Sequence, residues 1–245
     1  MIFARLLAIA GFLSWLLLIF HGDIYWVIGS LIYYKLIVGL LGNQIAQHRY
    51  FSHNSFATTR IKKYFLYFVS LTTGVNPRDY ALIHRHHHIY SDKAGDVHSY
   101  HNKFGDIFFP LTGITSANSA IRVGRVLDND LKGFYKYHQV TIISALLVAS
   151  VVNWKIAVYL MLAGIAWNYI HMVLFRVWLV HAKLPGSYQN FETGDNSWNN
   201  KLIQFLDIGE GLHNNHHHKP NEYNQAMSLG EFDPAGWVVR KFFAL

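Results

Sequence analysis

The chain has 245 residues, of which 52% are hydrophobic and only 14% are charged, against about 25% charged residues in ordinary soluble domains. The apolar residues are bunched, so the composition indicates a membrane protein with a polar portion. We interpret the net charge of +7 as the positive bias of cytoplasmic loops. No basic run is interleaved with aromatic residues, which argues against a nucleic-acid partner. The absence of cysteine excludes disulfides, thiolate catalysis and iron–sulfur clusters.

Two apolar stretches near the N-terminus are predicted to cross a membrane. Residues 2–20 are apolar apart from Arg5, and residues 24–46 contain Lys35. Each stretch is long enough to span a hydrocarbon core. A secretory signal is the alternative for the first stretch, but no small-residue cleavage site precedes His21, and a second apolar stretch follows at once. The three-residue link between them predicts a hairpin.

A first pair of histidines, His48 and His53, follows this hairpin. Residues five apart on an α-helix point about 140° away from each other, so both can serve one site only if the helix ends near Ser52. Residues 60–75 have a basic start and a short apolar body, which predicts an interfacial helix. We expect residues 74–77, from a glycine to a proline, to end it.

A second cluster is predicted to lie on the next helix. His84, His87 and His88 have the spacing i, i+3, i+4, which places three imidazoles on one helical face. His86 lies on the opposite side of that helix and is excluded from the face.

A polar stretch, residues 92–137, comes next. It contains Asp96, His98 and His101. For the two histidines we favour a supporting or surface role over direct metal binding, and Asp96 and His98 are candidates for orienting the ligands. A loose basic region ends this stretch, as is usual on the cytoplasmic flank of a span.

Two further apolar stretches, residues 138–153 and 156–180, are predicted to form a second pair of spans joined by a tight link at Asn153. His181 ends the fourth span. If each pair of spans forms a hairpin, this residue lies on the side of the membrane that holds the other histidines. It is therefore a candidate ninth ligand.

The third cluster repeats the i, i+3, i+4 spacing and consists of His213, His216 and His217. Residues 195–197 supply N-cap chemistry for a helix predicted to start near Trp198 and to carry this cluster. Pro220 is expected to end the helix. Asp207 and Glu210 lie within about one turn of the cluster and are candidate partners for the N–H groups of the ligands.

The number of imidazoles limits the kind of metal site. The three clusters contain eight histidines, and a zinc ion is filled by four ligands or by three and a water. Eight ligands therefore imply two metal ions or two separate sites. Imidazole suits iron, copper, nickel and zinc, so the ligand type alone does not choose the metal.

These elements predict an all-α membrane protein with four transmembrane helices in two hairpins, interfacial helices and a histidine-rich lobe. We expect a single domain, residues 1–245, with spans at about 2–20, 24–46, 138–153 and 156–180 and a lobe built from 47–137 and 181–245. Basic residues flank the clusters, which places the lobe on the cytoplasmic side, in a bacterial inner membrane or the endoplasmic reticulum.

The motifs resemble those of the membrane fatty acid desaturases, and among them the acyl-CoA Δ9 (stearoyl-CoA) desaturase type. The resemblance covers nearly the whole chain from about residue 25. It rests on QHRYFSH (47–53), HRHHH followed by SD (84–92), NFETGDNS (190–197), GEGLHNNHH (209–217) and EFDP through a tryptophan (231–237).

The resemblance implies a cytoplasmic diiron centre and O₂-dependent removal of two hydrogens from an acyl chain to give a cis double bond. It further implies a separate electron donor such as cytochrome b5 or ferredoxin. The implied iron ligands are His48, His53, His84, His87, His88, His181, His213, His216 and His217. Basic residues near the clusters, Arg78 and Arg85, are candidates for contacting a phosphate of the substrate headgroup.

The sequence departs from the family pattern at two places. Val177 stands where the family has an asparagine that holds a metal-bound water, and Arg176 precedes it. Leu82 and Ile83 stand where polar or charged residues commonly precede the second cluster. The substrate carrier is therefore open between an acyl-CoA, an acyl-lipid and an acyl-carrier-protein thioester.

Three other functions were weighed. A diiron hydroxylase of the same superfamily uses similar chemistry but returns oxygen to the carbon. A membrane metal carrier predicts metal-binding groups inside the spans, where only His171 lies well inside. A membrane zinc hydrolase would need a glutamate inside a ligand pair such as His-Glu-x-x-His, which is missing. Desaturation is the favoured function.

Overall fold

The computed structural model describes residues 2–93, Asp96 and residues 131–245. Within these residues the chain forms helices and loops, with isolated β-bridges at Asn199 and no longer strand. This confirms the helical class for the described part. His98 and His101 lie outside it. The helices are α1 (Ile2–His21), α2 (Ile24–Ser52), α3 (60–73), α4 (Pro77–Tyr90), α5 (Lys132–Lys136), α6 (His138–Lys155), α7 (156–179), α8 (Lys201–Asp207), α9 (His213–His218) and α10 (234–243).

Two helical stretches, Ile24–Ser52 and His138–Leu179, are long and apolar enough to cross a membrane, and the apolar part of α1, Leu6–His21, is shorter. Large apolar side chains cover the outside of these helices, and on α6 the exposure reaches 88% at Val151. An apolar surface of this extent is typical of a surface that contacts a membrane or another protein. Helix α1 packs along α7 at Gly11, where a Cβ would lie 2.9 Å from the nearest backbone oxygen of α7.

The stretch His138–Leu179 is interrupted at Asn153, whose φ of −163° and ψ of 114° are not helical. The break falls where the sequence predicts a link between two spans. Ile142 precedes it and Ile165 follows it, yet both line one apolar cavity. Helices α6 and α7 therefore lie side by side.

The first histidine pair lies at the end of α2. This helix ends at Ser52, as the sequence predicts, and His53 caps it. From Tyr34 to Ser52 the helix is of the π type, and the His53 N–H donates to the His48 carbonyl at 3.2 Å. Because π-helical bonds join residues five apart, His48 and His53 come to lie on the same side.

The second cluster lies on α4, as predicted. Helix α3 ends at Gly74, which has a φ of 78° that favours glycine. Asn76 then caps α4 by accepting a hydrogen bond from the Arg78 N–H at 3.0 Å, and Pro77 occupies the first helical position. Helix α4 therefore starts at a fixed point about two turns before its first histidine, His84.

The predicted single helix from Trp198 through the third cluster is wrong. Helix α8 starts at Lys201 because Asn200 caps it, accepting from the backbone N–H groups of the first turn at 3.0 and 3.3 Å. Ile208 and Gly209, with φ of 47° and 134°, then turn the chain. The cluster lies on the separate helix α9, and the chain between the two helices crosses back over the start of α8, where the Asn200 N–H donates to a carbonyl at 2.6 Å.

One buried ion pair joins the end of α2 to the C-terminal part of the chain. Arg49 and Asp233 are 1% and 2% exposed, and their side chains form two hydrogen bonds of 2.7 and 3.1 Å. Arg49 also donates to the carbonyl groups of Gly209 and Tyr223. The guanidinium thus fixes the first histidine pair relative to the turn that precedes α9.

We expect Arg49→Met to lower the free energy of unfolding by about 3–5 kcal/mol, because it leaves the Asp233 carboxylate buried without its cation. The melting temperature of the detergent-solubilised protein measures this loss. Arg240→Met removes an exposed arginine and should change stability by less than about 0.5 kcal/mol. Equal melting temperatures for the two variants would contradict the structural role of Arg49.

Candidate metal centre

Nine histidines form two groups. Within each group, the nearest ring nitrogens of the histidines all lie within 4.8 Å of one another. The first group consists of His48, His53, His84, His88 and His216, and the second of His87, His181, His213 and His217. They are the nine positions that the sequence predicts, and the division into five and four nitrogens fits two ions rather than one.

The two helical triplets do not each belong to a single group. On α4 the pair His84 and His88, four residues apart, joins the first group, while His87 joins the second. On α9 the arrangement is reversed. There His213 and His217, four residues apart, belong to the second group, and His216 belongs to the first. Each helix therefore bridges both groups, which fixes the separation of the two sites.

The inward-facing nitrogen of these rings is Nε2. The Nε2 atoms of His53 and His84 are 2.8 Å apart, and those of His181 and His213 are 3.0 Å apart. Two neutral imidazole lone pairs at this distance repel each other unless a proton or a cation lies between them. The Nε2 of His217 is buried and has no hydrogen-bond partner among the described residues.

The outward-facing nitrogen, Nδ1, is bound by aspartates in three of the four rings of the second group. The pairs are His87 with Asp96 at 3.0 Å, His181 with Asp92 at 3.0 Å and His217 with Asp195 at 2.6 Å. An Nδ1–H that donates to a carboxylate leaves the lone pair on Nε2, inside the cluster, and increases its basicity. Each aspartate therefore fixes the ring and the tautomer that a metal requires.

Glu210 lies between the two groups. Its carboxylate oxygens are 3.4 Å from Nδ1 of His48 and 3.2 Å from Nδ1 of His213. Glu210 thus lies near both groups, but its Oε2 and Nδ1 of His213 form no hydrogen bond with the described residues, and its predicted role stays a prediction. Asp96, also a candidate, contacts Nδ1 of His87.

Asp207, the other predicted partner, contacts a different pair of residues. Its carboxylate accepts hydrogen bonds from Nδ1 of His171 at 3.0 Å and from Nε of Arg176 at 3.3 Å, both on α7. Helix α8 ends at Asp207, and a turn with positive φ follows. Because of this turn, Glu210 and not Asp207 lies beside the histidines.

The two candidate headgroup arginines lie in different surroundings. Arg85 donates through Nε to the Ser52 carbonyl and through Nη2 to the Phe51 carbonyl at 3.4 Å, so it holds the end of α2. Arg78 is exposed in the first turn of α4. His86 packs against Tyr90, with ring centroids 4.6 Å apart, outside both histidine groups as predicted.

Burial lowers the pKa of several of these histidines. Desolvation, reinforced by neighbouring positive charges, lowers the pKa of His53 to about 3. Desolvation also lowers the pKa of His217 to about 4, although its hydrogen bond to Asp195 acts in the opposite direction. The pKa values of His84, His88 and His216 are held well below the usual value, again mainly by burial. Neutral rings are the form that binds a cation.

Sequence reasoning missed the contacts that Asp92 and Asp195 make with ligand rings. For Asp195 the burial that raises its pKa is outweighed by hydrogen bonds, first from His217, and the net pKa is lowered. The loop that carries it is tied to α9 by Asn214, whose Oδ1 accepts from two backbone N–H groups of the loop at 2.9 and 3.0 Å. The only sequence signal was that both aspartates occur within the family-like motifs.

The donor set fits transition-metal ions. Nine imidazole nitrogens face inward in groups of five and four, aspartates or Glu210 lie behind several of them, and a buried Nε2 has no protein partner. Imidazole with carboxylate support suits iron as well as zinc or copper. The residues present therefore accommodate a pair of iron ions.

Comparison with known proteins identifies relatives of this chain. The chain is 28% identical over 239 residues to icosanoyl-CoA 5-desaturase of Limnanthes douglasii, covering 92% of this chain and 64% of the relative. It is 30% identical over 216 residues to the chloroplastic palmitoyl-monogalactosyldiacylglycerol delta-7 desaturase of Arabidopsis thaliana, covering 84% and 56%. It is 29% identical over 190 residues to the sn-1 stearoyl-lipid 9-desaturase of Anabaena variabilis, covering 74% and 67%.

The chain thus spans less than two thirds of the length of the first two relatives. A sequence profile described as fatty acid desaturase matches residues 30–244, a region that includes both histidine groups. From this match over most of its length, the chain belongs to the fatty acid desaturase family.

Proposed function

We propose that this chain is a membrane-bound, O₂-dependent fatty acyl desaturase that inserts a cis double bond into an acyl chain. The observation that carries the proposal is the pair of buried histidine groups with their outer carboxylates. In this reaction an acyl CH₂–CH₂ loses two hydrogens. O₂ takes up these two hydrogens, two electrons and two protons, and leaves as two waters.

The nine histidines are proposed to hold two iron ions, the metal that this family generally uses. Iron with O₂ supplies an oxidant strong enough to break an unactivated C–H bond, which side chains lack. Asp92, Asp96 and Asp195 hold the Nδ1 protons of three rings, and Glu210 lies beside two more. A separate donor, such as cytochrome b5 or ferredoxin, is proposed to supply the electrons.

The proposed topology is a single domain with four spans in two hairpins and a cytoplasmic metal-binding lobe. The break at Asn153 and the adjacent packing of α6 and α7 support the second hairpin. The short link at Gly22 supports the first, since α1 ends at His21 and α2 begins at Ile24. The apolar exterior of these helices supports the bilayer as their environment.

The proposed substrate is a fatty acyl chain carried by CoA or by a lipid. Relatives named for either carrier match the chain. A nearly apolar cavity of about 180 Å³ lies between α3, α6 and α7. Thr72 lines this cavity, and the next residue, Thr73, accepts a hydrogen bond from Gln47, which precedes His48, at 2.8 Å. These contacts connect the wall of the cavity to the residue that precedes His48.

Fatty acid methyl ester analysis tests the activity. The host is a desaturase-deficient strain that expresses the full chain with an electron donor. We expect a new monounsaturated acid, and we expect His87→Ala to abolish it and to lower the bound iron, because His87 is one of only four nitrogens in its group.

His218→Ala is the matched control for this test. His218 follows His217 directly but is exposed and stacks on Phe191. This variant should keep both iron and product. A hydroxy acid in place of the alkene would establish the hydroxylase alternative, and zinc without iron in the parent would contradict the diiron proposal.

Asp195→Asn tests the role of the outer carboxylates. The amide cannot accept the His217 proton as strongly, so we expect iron affinity to fall about 10- to 100-fold. The measurement is iron retained against increasing chelator. Glu192→Gln changes an exposed carboxylate in the same loop and should retain the parental affinity. An unchanged affinity in Asp195→Asn would show that this aspartate does not support a ligand.

Ala145→Phe tests whether the apolar cavity holds the acyl chain. The new ring would occupy space beside Leu146 and Ile165, so we expect product from the longest accepted acyl chains to fall several-fold relative to shorter ones. Val148→Phe places the same ring on an exposed position of α6 and is the control. An identical chain-length profile in both variants would place the acyl chain elsewhere.

A further inference from the structure

Helix α10, residues 234–243, carries both a buried and an exposed apolar surface. Ala235, Val239 and Phe243 are buried against the rest of the protein. Trp237 and Phe242, by contrast, are 44% and 58% exposed, and their rings contact each other with centroids 6.2 Å apart. Exposed apolar patches mark contacts with a membrane or with another protein. The exposed rings of α10 therefore point to a partner.

The exposed surface of α10 extends onto α3. The Phe243 carbonyl accepts a hydrogen bond from the Thr58 hydroxyl at 2.7 Å, and the Phe243 ring stacks on Phe65 of α3 with centroids 6.0 Å apart. Phe65 is 48% exposed, and Ile61, one turn before it, is 82% exposed. We call the side chains at positions 61, 65, 237 and 242 the apolar patch.

The apolar patch is continuous with the exterior of the predicted spans. Phe68, about one turn after Phe65 on α3, is 47% exposed and lines the cavity between α3, α6 and α7. Its ring contacts Phe134, just before α6, with centroids 6.0 Å apart. Val140, in the first turn of α6, is 61% exposed. A bilayer that surrounds α6 therefore extends to α3 and, through Phe65, to α10.

The charges beside the apolar patch have one sign. Residues 57–76, which include α3, and residues 234–245, which include α10, contain five basic residues and no aspartate or glutamate. The basic residues are Arg60, Lys62, Lys63, Arg240 and Lys241. The last two are exposed and directly precede Phe242. Exposed aromatic rings beside lysine and arginine are typical of helices that lie on an anionic membrane surface.

Helix α10 is also fixed to the metal-binding lobe. Asp233 caps the helix by accepting a hydrogen bond from the Gly236 N–H at 3.0 Å, and the same carboxylate accepts from Arg49 at 2.7 Å. Arg49 directly follows His48 of the first histidine group. A membrane contact at α10 would therefore set the height of the histidine groups above the bilayer.

We propose that α10 lies on the membrane surface beside α3 and that Arg240 and Lys241 bind the headgroup of an anionic phospholipid. Trp237 and Phe242 then enter the apolar edge of the bilayer. The inference rests on the proposed bilayer environment of the spans and not on the proposed reaction.

A single fluorescent label tests the contact. The chain has no cysteine, so Phe242→Cys in the full chain carries one nitrobenzoxadiazole group. In vesicles of phosphatidylcholine and phosphatidylglycerol, we expect quenching by a nitroxide on the lipid acyl chains and little quenching by iodide in the water. Leu147→Cys, at a 62% exposed position of α6, is the reference for lipid contact. Glu192→Cys, at an exposed position of the lobe, is the reference for water contact.

The headgroup preference tests the two basic residues. The nitroxide is carried either by phosphatidylglycerol or by phosphatidylcholine, and the ratio of quenching at Phe242→Cys gives the local preference for the anionic lipid. One lysine or arginine near an anionic surface contributes about 1 kcal/mol, a factor of about five. Arg240→Gln combined with Lys241→Gln should therefore lower the preference at least about fivefold. Lys183→Gln combined with Lys219→Gln removes two exposed cations elsewhere in the lobe and should leave it unchanged.

The reference positions separate the possible failures. If the lipid nitroxide quenches the label at Leu147→Cys but not at Phe242→Cys, the inference alone is overturned, and water or another protein covers the apolar patch. Equal quenching by the two lipids at Phe242→Cys overturns the anionic headgroup site. Iodide quenching without lipid quenching at Leu147→Cys overturns the proposed bilayer environment and the inference with it. The fatty acid assay tests the proposed reaction independently.

Discussion

Nine imidazole rings share one buried volume, and the rest of the lobe is arranged so that they can do so uncharged and correctly oriented. Nitrogen atoms of neighbouring rings approach to 2.8 Å, a distance at which lone pairs repel unless a cation lies between them. Burial holds the pKa of His53 and His217 far below neutrality, so protons do not supply that charge. The proposed pair of metal ions would supply it.

A second layer of contacts orients several of these rings. Aspartates hold the outer nitrogen of three rings of the second group, and Glu210 lies beside one ring of each group. These carboxylates come from segments far apart in the chain, so the surrounding loops must be fixed as well. Arg49 and Asn214 serve this purpose, since one ties α2 to the C-terminal part and the other ties the loop of Asp195 to α9.

The α7 side of the centre differs in chemistry from the α4 and α9 sides. Here Val177 presents an apolar wall beside the histidines, and Arg176 donates a hydrogen bond to Asp207. The π-helical register turns Arg176 toward the centre.

The sequence by itself determined the helical class, the break at Asn153, the end of α2 near Ser52 and the nine histidines, because apolar length, turn residues and the i, i+3, i+4 spacing are local properties. It also predicted that Glu210 and Asp96 lie near the ligands. Only the tertiary structure divided each helical triplet between two groups and brought Asp92 and Asp195 to their rings. Only the tertiary structure shows that Asp207 accepts a hydrogen bond from Arg176, because the turn at Ile208 and Gly209 replaces the continuous helix expected there. Such pairings depend on how distant segments of the chain pack together, and the local spacing of residues does not determine this packing.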